Sequence, residues 1–314
     1  MKGARLSLFL AAGLALAVGL LFLVPAPALA EEGVGVAISP LTFELTANPG
    51  DTLFNKIRVY NPTTSIVFVK MEVEDFAVSG ETGEVMIEPA ETETYSLAKW
   101  VRPNPKEFTL EPLEQKFVEF YIDVPLNAEP GGHYGSLLAS TTGVIGSGIT
   151  GVATAQRVGG LILLSVAGDV NESLKVKEFS SPSFIEYGPA KFNIRFINDG
   201  SVHVRPRGFV TITDIFGRKV TDVEFSQFNV IPGAIRKIEA GWNKRLLIGR
   251  YTASLVGSYG TNNNPWEPAV VTFWAFPWKI GAVVFAAFII SLIFFIKTRR
   301  RWFMALKILI TGEK

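Results

Sequence analysis

The sequence contains no cysteine and only two histidines, and these shortages exclude several kinds of chemistry. Thiol catalysis, CxxC redox exchange and cysteine-ligated zinc each need a residue that the chain lacks. His133 and His203 belong to no His-x-x-His or His-x-x-x-His pair, the spacings typical of zinc sites. We interpret each histidine as a structural residue at a turn, and we predict no metal, no cofactor and no enzymatic activity.

Motifs for nucleotide binding and for serine hydrolysis are weak or missing. The glycines of "GSGITG" (146–151) fit GxGxxG, but β-branched residues follow them instead of a helix, so we predict a flexible loop joining two strands. No Gly-x-Ser-x-Gly elbow is present. Calcium binding at Asp169 or Asp199 stays open, although no EF-hand spacing supports it.

Paired acids occur twice, at Glu72 and Glu74 and at Glu91 and Glu93. A glycosidase needs two carboxylates that face each other across a cleft, one of them in an apolar pocket. Residues two apart on a strand point to the same side, so each pair predicts a solvated strand face rather than a catalytic pair.

Apolar runs stand at both ends of the chain. The first has basic residues within 1–5, an apolar segment at 6–24 and a small-x-small site at 28–30, which is the layout of a secretory signal. Its length would also suit an uncleaved anchor helix. Prolines at 25 and 27 favour cleavage after Ala30, so we assign 1–30 as a signal peptide.

The second apolar run, Ile280–Ile296, carries no charge. Its 17 residues would extend about 26 Å, slightly less than a hydrocarbon core of ~30 Å. Residues suited to the membrane interfaces flank it: Trp278, Lys279, Lys297 and Trp302. We predict one transmembrane helix over 277–297.

Charge sets the predicted orientation. Residues 31–278 hold 28 acidic and 21 basic residues, whereas the tail, 298–314, is basic, so the tail should be cytoplasmic and the acidic part outside the cell. Nothing in the acidic part resembles a nucleic-acid surface.

The tail's apolar stretch 302–310 is too short to span a membrane. We predict that it lies along the inner leaflet, or else docks into a membrane partner. The predicted lipid contacts are Arg299, Arg300, Arg301 and Trp302.

Between the membrane signals, helical periodicity gives way to alternation of polar and apolar residues, as in "KIRVYN" and "FVKMEVEDF". Turn dipeptides such as Pro49-Gly50 and Pro232-Gly233 separate these segments. Short alternating strands with regular turns predict an all-β sandwich or barrel.

Landmarks recur in the same order in two halves. "IRVYN" ends at Asn61 and "IRFIN" ends at Asn198. Each is followed by a hydrophobic-x-Pro turn with a basic residue four positions beyond the proline, then by Gly-x-Tyr-x-x-x-Leu. The repeat predicts two tandem Ig-like β-sandwich domains, 31–168 and 169–276, the first with about 17 extra residues within 76–105. Tyr134 and Tyr251 are predicted as tyrosine corners, with ligand contact as the alternative.

The extra segment places aromatic residues among polar ones, as binding loops on rigid scaffolds often do. We therefore predict a binding surface at Phe76, Tyr95, Trp100 and Phe108. The alternative is that Trp100 simply closes one end of the sandwich.

The opening of the first domain, "ISPLTFELTANPGDTLFNKIRVYNPTTSIVFVKMEVEDF", and the later "EPGGHYGSLLAS" and "VGGLILLSV" resemble the bacterial WxL-interacting proteins. That resemblance implies a peptidoglycan-binding first domain, a second domain that binds a WxL-domain partner, one span and a basic tail. Our hypothesis is a bacterial, single-pass cell-membrane protein whose extracytoplasmic domains bind cell-wall polymer or another surface protein. The alternative is a structural or sensor subunit of a membrane complex.

Overall fold

A computed structural model describes residues 35–87, 95–144 and 156–311. This part of the chain is all-β apart from short 3₁₀ segments, among them Ala98–Trp100, and one long C-terminal helix. The predicted signal peptide, the pair Glu91 and Glu93, and the glycines of 146–151 lie outside the described residues.

Strands β1 to β11 build the first β-sandwich. They are β1 (Ala37–Ser39), β2 (Thr42–Ala47), β3 (Thr52–Tyr60), β4 (Val67–Glu74), β5 (Phe76–Ser79), β6 (Glu84–Ile87), β7 (Val101–Asn104), β8 (Glu107–Leu110), β9 (Gln115–Asp123), β10 (Gly131–Val144) and β11 (Gln156–Val166). One sheet has the order β1-β3-β9-β7 and the other β2-β11-β10-β4-β8, while β5 and β6 form a separate hairpin.

Strands β12 to β20 build the second sandwich. They are β12 (Leu174–Ser180), β13 (Phe184–Ile185), β14 (Ala190–Asn198), β15 (Arg207–Thr213), β16 (Lys219–Glu224), β17 (Ile235–Trp242), β18 (Gly249–Tyr259), β19 (Asn264–Pro265) and β20 (Ala269–Ala275). One sheet has the order β12-β14-β17 and the other β13-β20-β18-β15-β16, with β19 paired to β18.

Alternation along the strands forms each core. In β14, for example, Phe192, Ile194 and Phe196 are fully buried and intervening residues are not. Aromatic pairs join the two sheets of each sandwich: Phe43 of β2 meets Phe120 of β9 at 5.1 Å between ring centroids, and Phe192 meets Phe273 of β20 at 5.7 Å. The two cores are separate clusters, although the boundaries 31–168 and 169–276 themselves stay a prediction.

In both sandwiches the first two strands belong to different sheets. β1 pairs antiparallel with β3 and β2 runs parallel to β11, while β12 pairs antiparallel with β14 and β13 runs parallel to β20. The main difference lies in one connection. Residues 75–106 join β4 to β8 in the first sandwich, whereas only residues 214–218 join β15 to β16 in the second.

A buried asparagine fixes the same turn in both units. Asn61 and Asn198 are fully buried at the ends of β3 and β14, and each amide nitrogen donates to carbonyl oxygens of its own turn and of the distant proline turn. These bonds run from Asn61 to Ser65 (2.8 Å) and Leu110 (3.2 Å), and from Asn198 to Val202 (2.9 Å) and Val230 (2.7 Å). The bonds satisfy carbonyl groups that burial would otherwise leave unpaired.

The two Gly-x-Tyr-x-x-x-Leu frames lie on β10 and β18 but face opposite ways. Tyr251 points inward: its ring lies 5.6 Å from Phe273, and its hydroxyl donates to the Ile248 carbonyl at 3.1 Å. Tyr134 lies on the outer face of its sheet, and its hydroxyl is 3.4 Å from His203 Nδ1. The prediction that Tyr134 bonds backbone upstream and fills the core is therefore wrong, because its register differs by one residue.

Helix α1 (Trp278–Thr311) leaves the second sandwich directly after β20. Its segment Trp278–Arg299 is long and apolar enough to cross a membrane, and the most apolar part is not buried against the sandwiches. The helix runs without a break through the predicted tail contacts Arg300, Arg301 and Trp302, whose side chains lie outside the described part. The lipid contacts of the tail stay a prediction.

Candidate binding groove between the sandwiches

The hairpin β5–β6, which the second sandwich does not have, reaches across to that sandwich. At its turn, the Glu81 carbonyl accepts a hydrogen bond from the Lys237 backbone N–H at 2.7 Å. The Glu81 carboxylate accepts a bond from Arg195 Nε at 2.8 Å, and this bond lowers the pKa of Glu81. The insertion therefore makes one wall of a groove between the sandwiches.

The floor of the groove is apolar. Phe76, Tyr134 and Leu163 form a buried cluster on the outer face of the first sandwich, and Ile231 of the second sandwich packs against it. The remaining cavity measures about 300 Å³. Half-buried aliphatic side chains complete its lining: Val78, Val85 and Leu161.

Two arginines border the cavity, and only one of them is neutralised. Arg205 pairs with Glu44, which also accepts a bond from Asn229 Nδ2 at 2.7 Å. Arg236 lies on the ring of Phe228 at 5.0 Å, and its guanidinium fills the space above Gly83. Burial lowers the pKa of Arg236, and within the described ranges no carboxylate lies within ion-pair distance of it.

An edge strand of the described part of the chain runs beside the groove. β2 is the outermost strand of its sheet, and Thr42 and Glu44 on this strand line the cavity. An edge strand presents backbone N–H and C=O groups that a further extended segment can pair with. The groove thus combines an apolar floor, a cation that has no counter-ion among the described residues, and a strand edge.

Both histidines have structural partners near this junction. His203 is largely buried beside Tyr134, and burial lowers the pKa of the histidine and raises that of the tyrosine. His133 is buried, with its Nε2 2.9 Å from the Glu129 carbonyl and its ring 4.4 Å from Trp100. Among the described residues, no group of three His, Asp or Glu side chains could hold a metal ion.

The four aromatic residues predicted as one binding surface do not come together. Phe76 is buried under the groove, and Tyr95 is partly exposed with its ring 6.3 Å from Tyr134. Trp100 packs against the first core, and Phe108 is buried within that core. The surface predicted from these four residues is therefore corrected: only Phe76 lines the groove, because the chain folds the insertion back onto the sandwich.

The described acidic pair is part of an ion-pair network. Glu72 accepts a bond from Ser140 Oγ at 2.6 Å and lies 3.1 Å from Lys70 and 3.2 Å from Arg157, which also pairs with Glu74. The bond from Ser140 is the main reason that the pKa of Glu72 is lowered. A carboxyl group in this setting stays ionised and does not suit a general acid.

Sequence reasoning missed the contribution of the second sandwich to the groove. In the sequence, Arg236 stands out only as the basic residue four positions beyond Pro232 in the repeated proline turn, and no pattern marks Ile231. The one available signal was the insertion itself, because a long insertion beside a neighbouring unit tends to contact it. Nothing in the local sequence around Arg236 indicates that no carboxylate of the described chain pairs with it.

No protein-family model matches the chain, and no curated protein matches it. Similar solved structures include the class 5 fimbriae chaperone CfaA, at 14% identity and a TM-score of 0.39, over 76% of this chain and 99% of that one. The Pseudomonas aeruginosa CupB2 chaperone has 10% identity and a TM-score of 0.35, over 76% and 100%. The E. coli chaperone DraB has 10% identity and a TM-score of 0.36, over 76% and 95%.

These comparisons correct the family resemblance. The three structures named above are fimbrial chaperones, and neither a family model nor a curated relative connects the chain to the WxL-interacting proteins, so that identification is wrong. It rested on proline-glycine and asparagine-proline turns, which recur in β-sandwiches because they solve the same backbone problem.

Proposed function

We propose that this protein is a non-enzymatic, membrane-anchored binding protein that holds a segment of a partner protein in the groove between its sandwiches. The segment would be apolar and would carry a carboxylate, either an acidic side chain or a C-terminus. The observation that carries the proposal is Arg236, a half-buried cation above an apolar floor with no counter-ion in the described part of the chain. A buried charge is stabilised when a partner neutralises it.

A protein segment fits this groove better than the wall polymer of our first hypothesis. Most apolar side chains that line the groove are aliphatic, among them Val85, Leu161 and Ile231, and they suit apolar side chains rather than hydroxyl-rich sugars. The edge of β2 adds backbone groups that an extended peptide can pair with. Both features point to a protein ligand.

Membrane anchoring is the second part of the proposal. Along Trp278–Arg299 the side chains are exposed, whereas a core helix would bury its apolar face. The basic cluster that begins at Arg299 favours a cytoplasmic C-terminus, with both sandwiches on the outer side. The groove would then be presented to proteins outside the membrane.

Peptide display tests the ligand. The full chain in lipid nanodiscs is exposed to phage-displayed peptides, some with a free C-terminus, and the selected peptides are titrated against variants. We expect apolar peptides with a carboxylate, and a loss of affinity of about tenfold or more for Arg236→Gln, since a hydrogen bond to a charged group contributes ~1.5–3 kcal/mol. Val270→Gln, an exposed change on the outer face of β20, is the matched control.

Three results would contradict the proposal. Selected peptides that bind Arg236→Gln as tightly as the parent would place the site elsewhere. Retention of the chain on purified peptidoglycan, with no peptide selected, would instead favour a wall polymer. Co-purification with membrane proteins through the helix alone would support the alternative of a structural or sensor subunit.

A further inference from the structure

Large apolar side chains are exposed at the end of the second sandwich where helix α1 begins. Phe216, 78% exposed, lies in the turn between β15 and β16. Leu246 and Ile248, 53% and 58% exposed, lie in the loop between β17 and β18. Phe276 and Trp278 are exposed at the start of the helix. Single exposed apolar residues are ordinary, but a cluster at one end indicates a contact surface.

Strand register places all these side chains at the same end of the sandwich. Thr213, the last residue of β15, lies opposite Thr252, and Gly249 lies opposite Ala275, the last residue of β20. Adjacent strands are about 4.8 Å apart, so the β15–β16 turn lies within roughly 10 Å, measured across the sheet, of the strand that leads into the helix.

Basic residues accompany the apolar ones. Lys244, Arg245 and Arg250 are exposed on or beside the β17–β18 loop, and in the part of the chain that the structure describes no carboxylate lies within ion-pair distance of them. Lys279, by contrast, pairs with Glu186 at 2.9 Å, which ties the helix to the sandwich. Free basic residues beside exposed apolar ones match the composition of surfaces that bind anionic lipid.

The apolar surface of the loop is continuous with that of the helix. Ile248 and Phe276 line an apolar crevice of about 470 Å³ together with the first turns of α1, among them Ile280 and Val284. If the helix crosses the bilayer, this crevice lies where acyl chains meet headgroups. The position of the crevice therefore indicates that lipid occupies it.

We propose that this end of the second sandwich is a lipid-contact surface that seats the protein on the outer face of the membrane. Phe216, Leu246 and Ile248 enter the headgroup region, and Lys244 and Arg245 bind anionic lipid phosphates. The inference rests on the proposed membrane anchoring. It also fixes how far the groove lies from the membrane. Strand β17 runs from Ile235, beside the groove, to Trp242, beside this surface, so the groove would lie about 25 Å from the lipid-contact surface.

Spin labels measure the depth of chosen side chains in the bilayer, and the absence of native cysteine makes single-site labelling direct. The full chain is reconstituted into vesicles of phosphatidylethanolamine and phosphatidylglycerol. Leu246→Cys and Phe216→Cys report on the proposed surface, Val270→Cys on the exposed sheet above it, and Ile290→Cys on the helix. Oxygen and a water-soluble nickel chelate serve as the two relaxing agents.

The labels at 216 and 246 are expected to be less accessible to the nickel chelate than the label at 270, as the label at 290 in the helix should be. Labels at 216 and 246 that are as accessible as the label at 270, with a buried label at 290, would overturn the lipid-contact surface and leave anchoring intact. An accessible label at 290 would overturn the anchoring itself, and this inference with it.

A charge variant tests whether the basic residues bind lipid phosphates. In the Leu246→Cys background, the combined change of Lys244, Arg245 and Arg250 to glutamine should move the label toward water on anionic vesicles. On vesicles of phosphatidylcholine alone, the parent and the variant should have the same depth. An unchanged depth on anionic vesicles would overturn the role of the basic residues.

Discussion

At the scale of single residues, the paired proline turns contain one unfavourable side chain. In both turns a backbone N–H bonds the carbonyl three residues earlier at 3.1 Å, from Glu114 to Glu111 and from Ala234 to Ile231. The third position has a positive φ in each, 62° at Leu113 and 75° at Gly233. Glycine adopts this conformation readily, whereas a side chain with a Cβ is strained there.

Leu113→Gly is therefore expected to stabilise the first sandwich. Relief of the left-handed conformation gains ~1–2 kcal/mol, and the greater freedom of glycine in the unfolded chain costs ~0.5–1 kcal/mol. The net gain of about 0.5–1 kcal/mol should raise the thermal transition by roughly 2–4 °C. Leu113 is 64% exposed, so little burial is lost. Differential scanning fluorimetry of the full chain measures the shift.

Leu113→Ala is the matched control, because it removes the same exposed side chain and keeps the Cβ at positive φ. It should leave the transition nearly unchanged. Equal stabilisation by alanine and glycine would show that loss of the exposed leucine side chain, and not relief of the backbone, is responsible.

At the scale of elements, the sequence predicted where strands lie better than it predicted which side chains point into the core. Alternation identified β3 and β4 because burial of one sheet face imposes a period of two. The same frame around Tyr134 and Tyr251 could not reveal that one tyrosine faces outward, since a shift of one residue reverses every side chain and leaves the spacing unchanged. The groove could not be predicted either. Its lining joins Phe76 of the first sandwich to Arg236 of the second, and local sequence patterns do not show which residues of two units will meet.

The β5–β6 hairpin should depend on Glu81 for its attachment to the second sandwich. The bond from Arg195 lowers the pKa of Glu81, so its contribution is present above the unfolded pKa of 4.5 and is lost as pH falls through the folded value. Glu81→Gln should speed amide hydrogen exchange in residues 76–87 at pH 7. Mass spectrometry of hydrogen exchange measures this change.

Lys56→Gln provides the comparison, because it removes an exposed ion pair with Glu119 on a sheet away from the groove. It should leave exchange in the hairpin unchanged. The prediction for Glu81 fails if both variants give the parent exchange rate in residues 76–87, since the backbone bond to Lys237 would then suffice to hold the hairpin.

At the scale of the whole molecule, two separate cores meet through an interface that contains both polar and apolar contacts. The Gly132 N–H bonds the Ser201 carbonyl at 2.8 Å, Glu44 holds Arg205, and Ile231 packs on the outer cluster of the first sandwich. Such an interface orients the units and adds to their stability without being needed for either core. The groove depends on this orientation.

We therefore expect residues 169–276 to fold alone but less stably than within the chain. All the buried residues of the second core lie within this fragment, so it should show a β-sheet circular dichroism spectrum and a cooperative thermal transition. The fragment loses the contact of Ile231 and two backbone hydrogen bonds, one between Gly132 and Ser201 and one between Lys237 and Glu81. This loss should cost about 3 kcal/mol, or roughly 10–15 °C for a unit of this size. Restoring a soluble surface with Ile231→Ser should change the fragment little and destabilise the full chain. An unfolded fragment would show that the second sandwich needs the first, and equal transition temperatures for fragment and chain would show that the interface contributes no stability.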